Sequence, residues 1–186
     1  MKRSSGKANV NASWLLTLSF LIATSAVAQT APTRQILVSL PDRKIAVIEN
    51  GEVLKVFPVA IGKSDTPSPV GKFTIINRVV NPTYYHHGKE IGPGPENPVG
   101  NRWMGLSQKG YGIHGTNEPR SVGKAASHGC IRMARADLEQ LVRLVHIGDE
   151  VEIVGERDTL TAQVFGPHSE PVILASASST TTGGAQ

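Results

Sequence analysis

Short runs of branched apolar residues, each ended by glycine or proline, are the feature that most constrains how this chain of 186 residues folds. The chain contains 19 glycines and 12 prolines, a punctuation that favours turns between short strands over long helices. Residues 35–40 and 44–48 predict two strands. Asn50-Gly51 predicts a type I′ hairpin, because both residues tolerate positive φ. The run from Val53 to Ile61 predicts a further strand that is buried on both faces.

One helix is expected among these strands. Four apolar side chains recur at i, i+3, i+4 and i+7 and therefore share one helical face: Leu138, Leu141, Val142 and Val145. The helix is expected to end at residues 147–149, and the alternation over residues 150–155 predicts a closing strand with one polar face. The predicted fold class is mainly β, a mixed β-sheet sandwich with one packed α-helix.

The folded region is expected to span residues 34–155. Phe73 to Ile76 continues the strand pattern, whereas residues 81–100 carry four prolines and several glycines. That segment predicts a long loop without regular structure, lying over a site as a lid. Beyond Glu156 the pattern decays, so residues 156–186 are interpreted as a C-terminal extension. Its end, 175–186, is rich in Ser, Thr and Gly and is expected to be disordered.

The N-terminus has the pattern of an export signal. Three basic residues within the first seven precede an apolar run from Trp14 to Val27, and Ala26-Val27-Ala28 supplies small residues for cleavage. Residues 1–28 are therefore predicted to be a signal peptide and the protein to reach the periplasm, with an uncleaved inner-membrane anchor as the alternative. Removal of three of the 19 basic residues leaves 16 against 15 acidic ones. The mature net charge of about +1 gives no support for nucleic-acid binding.

The segment from His114 to Met133 is the strongest indication of chemistry. It contains Ser127, His128 and Cys130, the last being the only cysteine of the chain. A cysteine nucleophile needs a base, a group that orients the base, and donors for an oxyanion. Gly129 lets the backbone approach a substrate, so the amides of Gly129 and Cys130 are candidate oxyanion donors. The helix that begins shortly afterwards is expected to lower the thiol pKa.

Other interpretations stay open on these residues alone. His114, His128 and Cys130 are residue types that bind zinc, although a fourth ligand is not obvious and the spacing is not that of a familiar finger. His86-His87 is the candidate supplement, and its plainer interpretation is a solvated pair in the lid. Cys130 as an inert core thiol is a further alternative.

The same segment closely resembles the signature of the L,D-transpeptidase catalytic domain, the YkuD-like family. His114-Gly115 and the stretch Ser127 to Arg132, SHGCIR, match its essential positions. Residues 66–73, TPSPVGKF, resemble a second element of that family, and the resemblance covers roughly residues 34–155. Agreement with a family signature of this length is not expected by chance.

The resemblance implies a role for each matching residue. Cys130 corresponds to the nucleophile, and His114 to its base, held by the backbone carbonyl of Gly115 in place of an acidic side chain. Three neighbours, Ser127, His128 and Gly129, correspond to the residues that shape the nucleophile turn and the oxyanion site. Arg132 is a candidate for binding a substrate carboxylate or for bracing the loop. Trp103 and Tyr111 are candidates for lining the groove.

The resemblance also implies a reaction. The thiol would attack the carbonyl of diaminopimelate at position three of a peptidoglycan stem, release D-Ala, and pass the thioester to an amine. The amine belongs either to another stem, giving a 3-3 cross-link in cell wall biogenesis, or to an outer-membrane lipoprotein. Alternatives are an L,D-carboxypeptidase using water and a non-catalytic peptidoglycan-binding module. No metal or organic cofactor is expected, carbapenems are expected to acylate the thiol, and the protein is expected to be a monomer.

Overall fold

The computed structural model of the protein describes residues 33–86 and 88–166. The predicted signal peptide (1–28), the polar tail (175–186) and His87 lie outside the described residues. In the part that the structure describes, no helix has the length and apolar character needed to cross a membrane. Two α-helices are present there, α1 (Arg135–Leu144) and α2 (Thr159–Phe165), with a short 3-10 turn at Pro119–Ser121.

Strands make up most of the described regular structure. They are β1 (Arg34–Ser39), β2 (Lys44–Glu49), β3 (Glu52–Pro58), β4 (Ile61–Gly62), β5 (Gly71–Val80), β6 (Tyr84–His86), β7 (Lys89–Ile91), β8 (Arg102–Leu106), β9 (Gly112–His114), β10 (Ala125–Ser127), β11 (Ile131–Arg132) and β12 (Glu150–Val154). Eight of them form one sheet in the order β11-β9-β8-β5-β12-β1-β2-β3. The pairs β1–β12 and β9–β11 are parallel and the others antiparallel. The prediction of a mainly β, mixed-sheet fold with a helix after Cys130 is confirmed.

The β2–β3 hairpin agrees with the sequence at its turn and disagrees with it along one strand. Asn50 and Gly51 have φ of 52° and 83°, the positive values of a type I′ turn. The prediction that the following strand is buried on both faces is wrong: β3 is the last strand of the sheet, and only Phe57 within it is buried. Apolar composition identified the strand, but not its position at the edge.

The strands that are covered on both faces are instead β1 and β2. On one face, Ile36 packs in the main core with Leu138 of α1. On the other face, Leu37 packs in a smaller cluster with Val164 and Phe165 of α2. The second helix was not predicted, because its seven residues are too few to show periodicity. It places folded structure within the segment interpreted as a C-terminal extension.

Two arginines fix α1 against the sheet. The guanidinium of Arg78 on β5 donates to the carbonyls of Val142 and Val145 at the C-terminal end of α1, where backbone acceptors have no partner within the helix. Arg102 on β8 makes a two-pronged contact with Glu139, at 2.9 and 3.1 Å. The helix ends at Leu144, slightly before the predicted residues 147–149.

The lid segment, residues 81–100, contains regular structure, so the prediction of a structureless loop is wrong. Its strands β6 and β7 pair antiparallel, with Tyr84 opposite Ile91. Asn97 is fully buried and ties the segment together. Its side-chain amide donates to the carbonyls of Pro82, Ile91 and Gly92, at 2.7, 3.2 and 3.1 Å, and its oxygen accepts from the backbone N–H of Val99. The prolines confine the hairpin to the stretch between Pro82 and Pro93.

Candidate active site

The parallel pair β9–β11 brings the two halves of the signature together. In its register Ile113 lies beside Ile131, and His114 lies beside Arg132. Successive side chains on a strand point to opposite faces, so the two isoleucines enter the core while His114 and Arg132 share the other face. Cys130 stands two residues before Arg132, and the same alternation directs it to the face of His114.

That face is the floor of a cavity of about 660 Å³. His114, Ser127, His128, Cys130 and Arg132 all contribute to its wall. Above them, the lid segment supplies Tyr84, Tyr85 and His86. The cavity is of the size that holds a small ligand or part of a peptide.

The imidazole of His114 is held in one orientation. Its Nδ1 lies 2.5 Å from the backbone oxygen of Gly115. A carbonyl can only accept, so Nδ1 carries the hydrogen and Nε2 keeps its lone pair. Burial lowers the pKa of His114 to about 4; the Gly115 carbonyl opposes this shift, and the positive charge of Arg132 adds to it. The ring is therefore neutral at neutral pH and able to accept a proton.

The Cys130 thiol is also neutral in the free protein. Burial raises its pKa, and this effect outweighs the lowering by the Gly112 backbone and by the charge of Arg132. The sulfur contacts the backbone oxygen of Gly110 at 3.6 Å, a weak hydrogen bond that a thiol can donate. The expectation of a lowered thiol pKa is wrong, because α1 begins only at Arg135 and desolvation dominates at the sulfur.

Ser127 closes the turn that carries the thiol. Its hydroxyl donates to the backbone oxygen of Cys130 at 2.6 Å and accepts from the backbone N–H of Gly129 at 3.0 Å. The N–H of Gly129 is thereby occupied, so the expectation that it serves an oxyanion is wrong for this conformation. Within the described residues, the N–H of Cys130 has no hydrogen-bond partner and remains a candidate donor.

Gly129 is required by both conformation and space. Its φ is +109°, a value that L residues rarely adopt. A Cβ at this position would lie 2.7 Å from Cε1 of Tyr111 and 3.2 Å from the backbone oxygen of Pro67. The candidate groove residue Tyr111 thus packs behind the nucleophile turn, and its side chain is not part of the cavity wall.

The loop at residues 63–68 hydrogen-bonds to the turn that carries Cys130. The sequence did not reveal this role. The backbone N–H of Lys63 and the hydroxyl of Thr66 donate to the backbone oxygen of Ser127, at 3.1 and 3.3 Å. Ser68 accepts from the N–H of Gly62 at 2.9 Å. The TPSP motif within residues 66–73 was the available signal, and its function becomes visible only from these contacts.

Arg132 and Trp103 both contribute to the cavity wall. Arg132 is only 13% exposed, and its Nη1 lies 3.3 Å from Oε2 of Glu118, while its buried Nε has no hydrogen-bond partner among the described residues. Trp103 stacks on His114. Arg132 thus forms an ion pair that stabilises the loop at Glu118. It also lines the cavity in which a substrate would bind.

A metal site finds no support in this arrangement. In residues 33–86 and 88–166, no group of three or more His, Cys, Asp or Glu side chains is placed to hold an ion. The hydrogen bond of His114 to Gly115 uses Nδ1.

Residues 33–153 match the family model of the YkuD L,D-transpeptidase catalytic domain. The chain therefore belongs to the L,D-transpeptidase catalytic domain family. It is 42% identical over 124 residues to the "Putative L,D-transpeptidase YkuD" of Bacillus licheniformis, a similarity that covers 67% of each protein.

Solved structures agree with this fold. An L,D-transpeptidase from Mycobacterium smegmatis superposes with a TM-score of 0.58 at 20% identity, covering 68% of this chain and 60% of that one. The L,D-transpeptidase LdtMt1 in complex with imipenem gives 0.57 at 22% identity, covering 67% and 60%. The chain thus spans about three fifths of the length of these structures.

Proposed function

We propose that the protein is an L,D-transpeptidase that acts on peptidoglycan stem peptides, with Cys130 as nucleophile and His114 as base. The observation that carries the proposal is the juxtaposition of the two side chains. His114 on β9 and Cys130, in the turn directly before β11, line one cavity, in a chain that belongs to this family. A neutral imidazole whose Nε2 keeps its lone pair lines the same cavity as the only thiol of the chain. General-base activation of a nucleophile uses such a pair.

The first step is acylation of the thiol. The proton leaves Sγ for Nε2 of His114 as sulfur bonds to the carbonyl carbon of diaminopimelate at position three. The bond to the nitrogen of D-Ala then breaks, and D-Ala leaves with the proton from the imidazolium. The resting pair is neutral, so the thiol proton has to be removed before or during attack. The N–H of Cys130 is the donor proposed for the oxyanion.

The second step releases the acyl group. An amine attacks the thioester, His114 takes the proton from the amine, and the sulfur leaves and is reprotonated. An amine from a neighbouring stem gives a 3-3 cross-link, and a lysine of an outer-membrane lipoprotein gives a tether. Water gives an L,D-carboxypeptidase reaction. The stem amine is proposed as acceptor, and the other two are distinguishable by their products.

Arg132 is proposed to attract a carboxylate of the stem. Its guanidinium contributes to the cavity wall beside His114, and Glu118, with 69% of its side chain exposed, is a partner that a substrate carboxylate can replace. The export-signal pattern at residues 1–28 supports a periplasmic site of action, where the stem peptides are found. The protein is proposed to act there as a monomer.

The decisive experiment is intact-mass measurement after incubation of the mature protein with a carbapenem. A single covalent adduct is expected, and Cys130→Ala is expected to keep the fold in thermal melts and to give none. Defined tetrapeptide muropeptides then identify the reaction: a cross-linked dimer supports transpeptidation, and a tripeptide supports the carboxypeptidase. Folded protein that binds muropeptides yet forms neither adduct nor product would contradict the proposal and favour a binding module.

A further inference from the structure

Trp103 is placed directly against the proposed base. The indole and the imidazole of His114 are stacked, with ring centroids 5.5 Å apart and planes inclined by 18°. Their strands determine this contact, because Trp103 is the register partner of His114 in the antiparallel pair β8–β9. In the sheet order β11-β9-β8, the indole lies on the side of His114 away from Cys130.

The backbone leaves space for the indole at one particular position. A Cβ at Gly112 would lie 2.6 Å from Cζ2 of Trp103 and 2.7 Å from the backbone oxygen of Met104. The second contact involves backbone that cannot move aside. Gly112 thus admits the six-membered ring of the indole, and the stacking geometry is built into the sheet.

The surroundings of the imidazole mostly oppose a positive charge. His114 is only 4% exposed, and Arg132 is its register partner on β11. Two groups favour the imidazolium: the Gly115 carbonyl, which accepts from Nδ1, and the face of the Trp103 indole. The negative face of an aromatic ring attracts a cation, and the attraction is strongest where water is excluded.

We propose that Trp103 is a positioning residue for His114, whose indole holds the plane of the imidazole and stabilises the imidazolium formed when Cys130 gives up its proton. This inference deepens the proposed function of the site and rests on it. Trp103 also lines the cavity, so the positioning role is additional to its sequence-based prediction as a groove residue. Trp103 acts on the reaction only through His114, so its effect requires the imidazole to be present.

Alkylation of Cys130 by iodoacetamide measures this role without peptidoglycan. Sulfur bonds to the methylene carbon, iodide leaves, and the thiol proton passes through His114 to solvent. Since the chain has one cysteine, the rate reports this sulfur alone. The test compares Trp103→Leu and Trp103→Phe in two backgrounds, the unchanged mature protein and His114→Gln, with circular dichroism confirming that each variant is folded.

With His114 present, Trp103→Leu is expected to slow alkylation at pH 7 by about tenfold, the effect of losing a desolvated cation–π contact. Trp103→Phe is expected to recover most of the rate. In the His114→Gln background, neither substitution is expected to change the rate, because no imidazolium forms. An equal loss in both backgrounds, or no loss with His114 present, would refute the proposal.

The alkylation experiment tests the role of Trp103 separately from the proposed function of the protein. If muropeptides and carbapenems fail to react while the alkylation rates follow the expected pattern, the Trp103 inference stands and the assigned substrate is wrong. If carbapenem adducts form while the alkylation pattern fails, the enzyme assignment stands and Trp103 is only a packing residue.

Discussion

Acid should destabilise this protein through His114 specifically. The pKa of the buried imidazole is about 4, against 6.5 for the unperturbed side chain. Between these values the unfolded chain binds a proton that the folded protein does not, so the free energy of unfolding falls as pH falls through this window. At 1.36 kcal/mol for each pKa unit, His114 contributes a loss of about 3 kcal/mol between pH 7 and pH 4. That is a large fraction of the roughly 5–15 kcal/mol stability of a typical domain.

The matched control is His114→Gln. Glutamine has a similar reach and can still donate to the Gly115 carbonyl, but it does not titrate. Urea unfolding of the mature protein and of the variant at pH 7, 6, 5 and 4 gives the free energy of unfolding at each pH. Other titrating groups contribute equally to both proteins, so their difference isolates the imidazole. The variant is expected to lose about 3 kcal/mol less than the parent over this range.

A parallel pH dependence in the two proteins would refute the reasoning, since it would mean that the imidazole takes up a proton as readily in the folded state as in the unfolded one. A steeper loss in His114→Gln would refute it as well. In either case the lowered pKa assigned to His114 would be wrong.

Two further predictions follow from the turn and the lid segment. Gly129→Ala forces a φ of +109° on a residue with a Cβ that would lie 2.7 Å from Tyr111; we expect destabilisation of about 1–3 kcal/mol in thermal melts and loss of the carbapenem adduct, and wild-type adduct formation would contradict this. Asn97→Ala removes a buried side chain that bonds to four backbone groups, with the two hydrogens of its Nδ2 shared among three carbonyls. A typical hydrogen bond is worth about 1 kcal/mol. We expect faster amide exchange in β6 and β7, and unchanged exchange would contradict the anchoring role.

The local chemistry of several elements was readable without the structure. Asn50-Gly51 specified its turn because positive φ at two consecutive positions is accessible to few residue pairs. The stripe ending at Val145 specified α1 because helical periodicity places its side chains on one face. The signature containing His114 and Cys130 identified the candidate site because its spacing is long and specific.

The burial of the strands and the protonation state of the candidate site depend on tertiary contacts. The strand β3 is as apolar as a central strand, and only the order of the sheet shows that it lies at the edge. Burial raises the pKa of the thiol, and the nearby helix does not lower it below its usual value. Of the two amides that were candidates for the oxyanion, only that of Cys130 remains, because the Ser127 hydroxyl accepts from the N–H of Gly129.

The sequence by itself determined that the chain is mainly β, where its main turn and first helix lie, and which thiol and imidazole belong to the candidate site. These features depend on local conformational preference and on residue identity. Only the tertiary structure decided that Trp103 lies on His114, that Tyr111 packs behind the nucleophile turn, and that the thiol and the base rest in their neutral forms. Contacts between strands separated along the chain, and the exclusion of water they produce, arise only once the sheet has assembled.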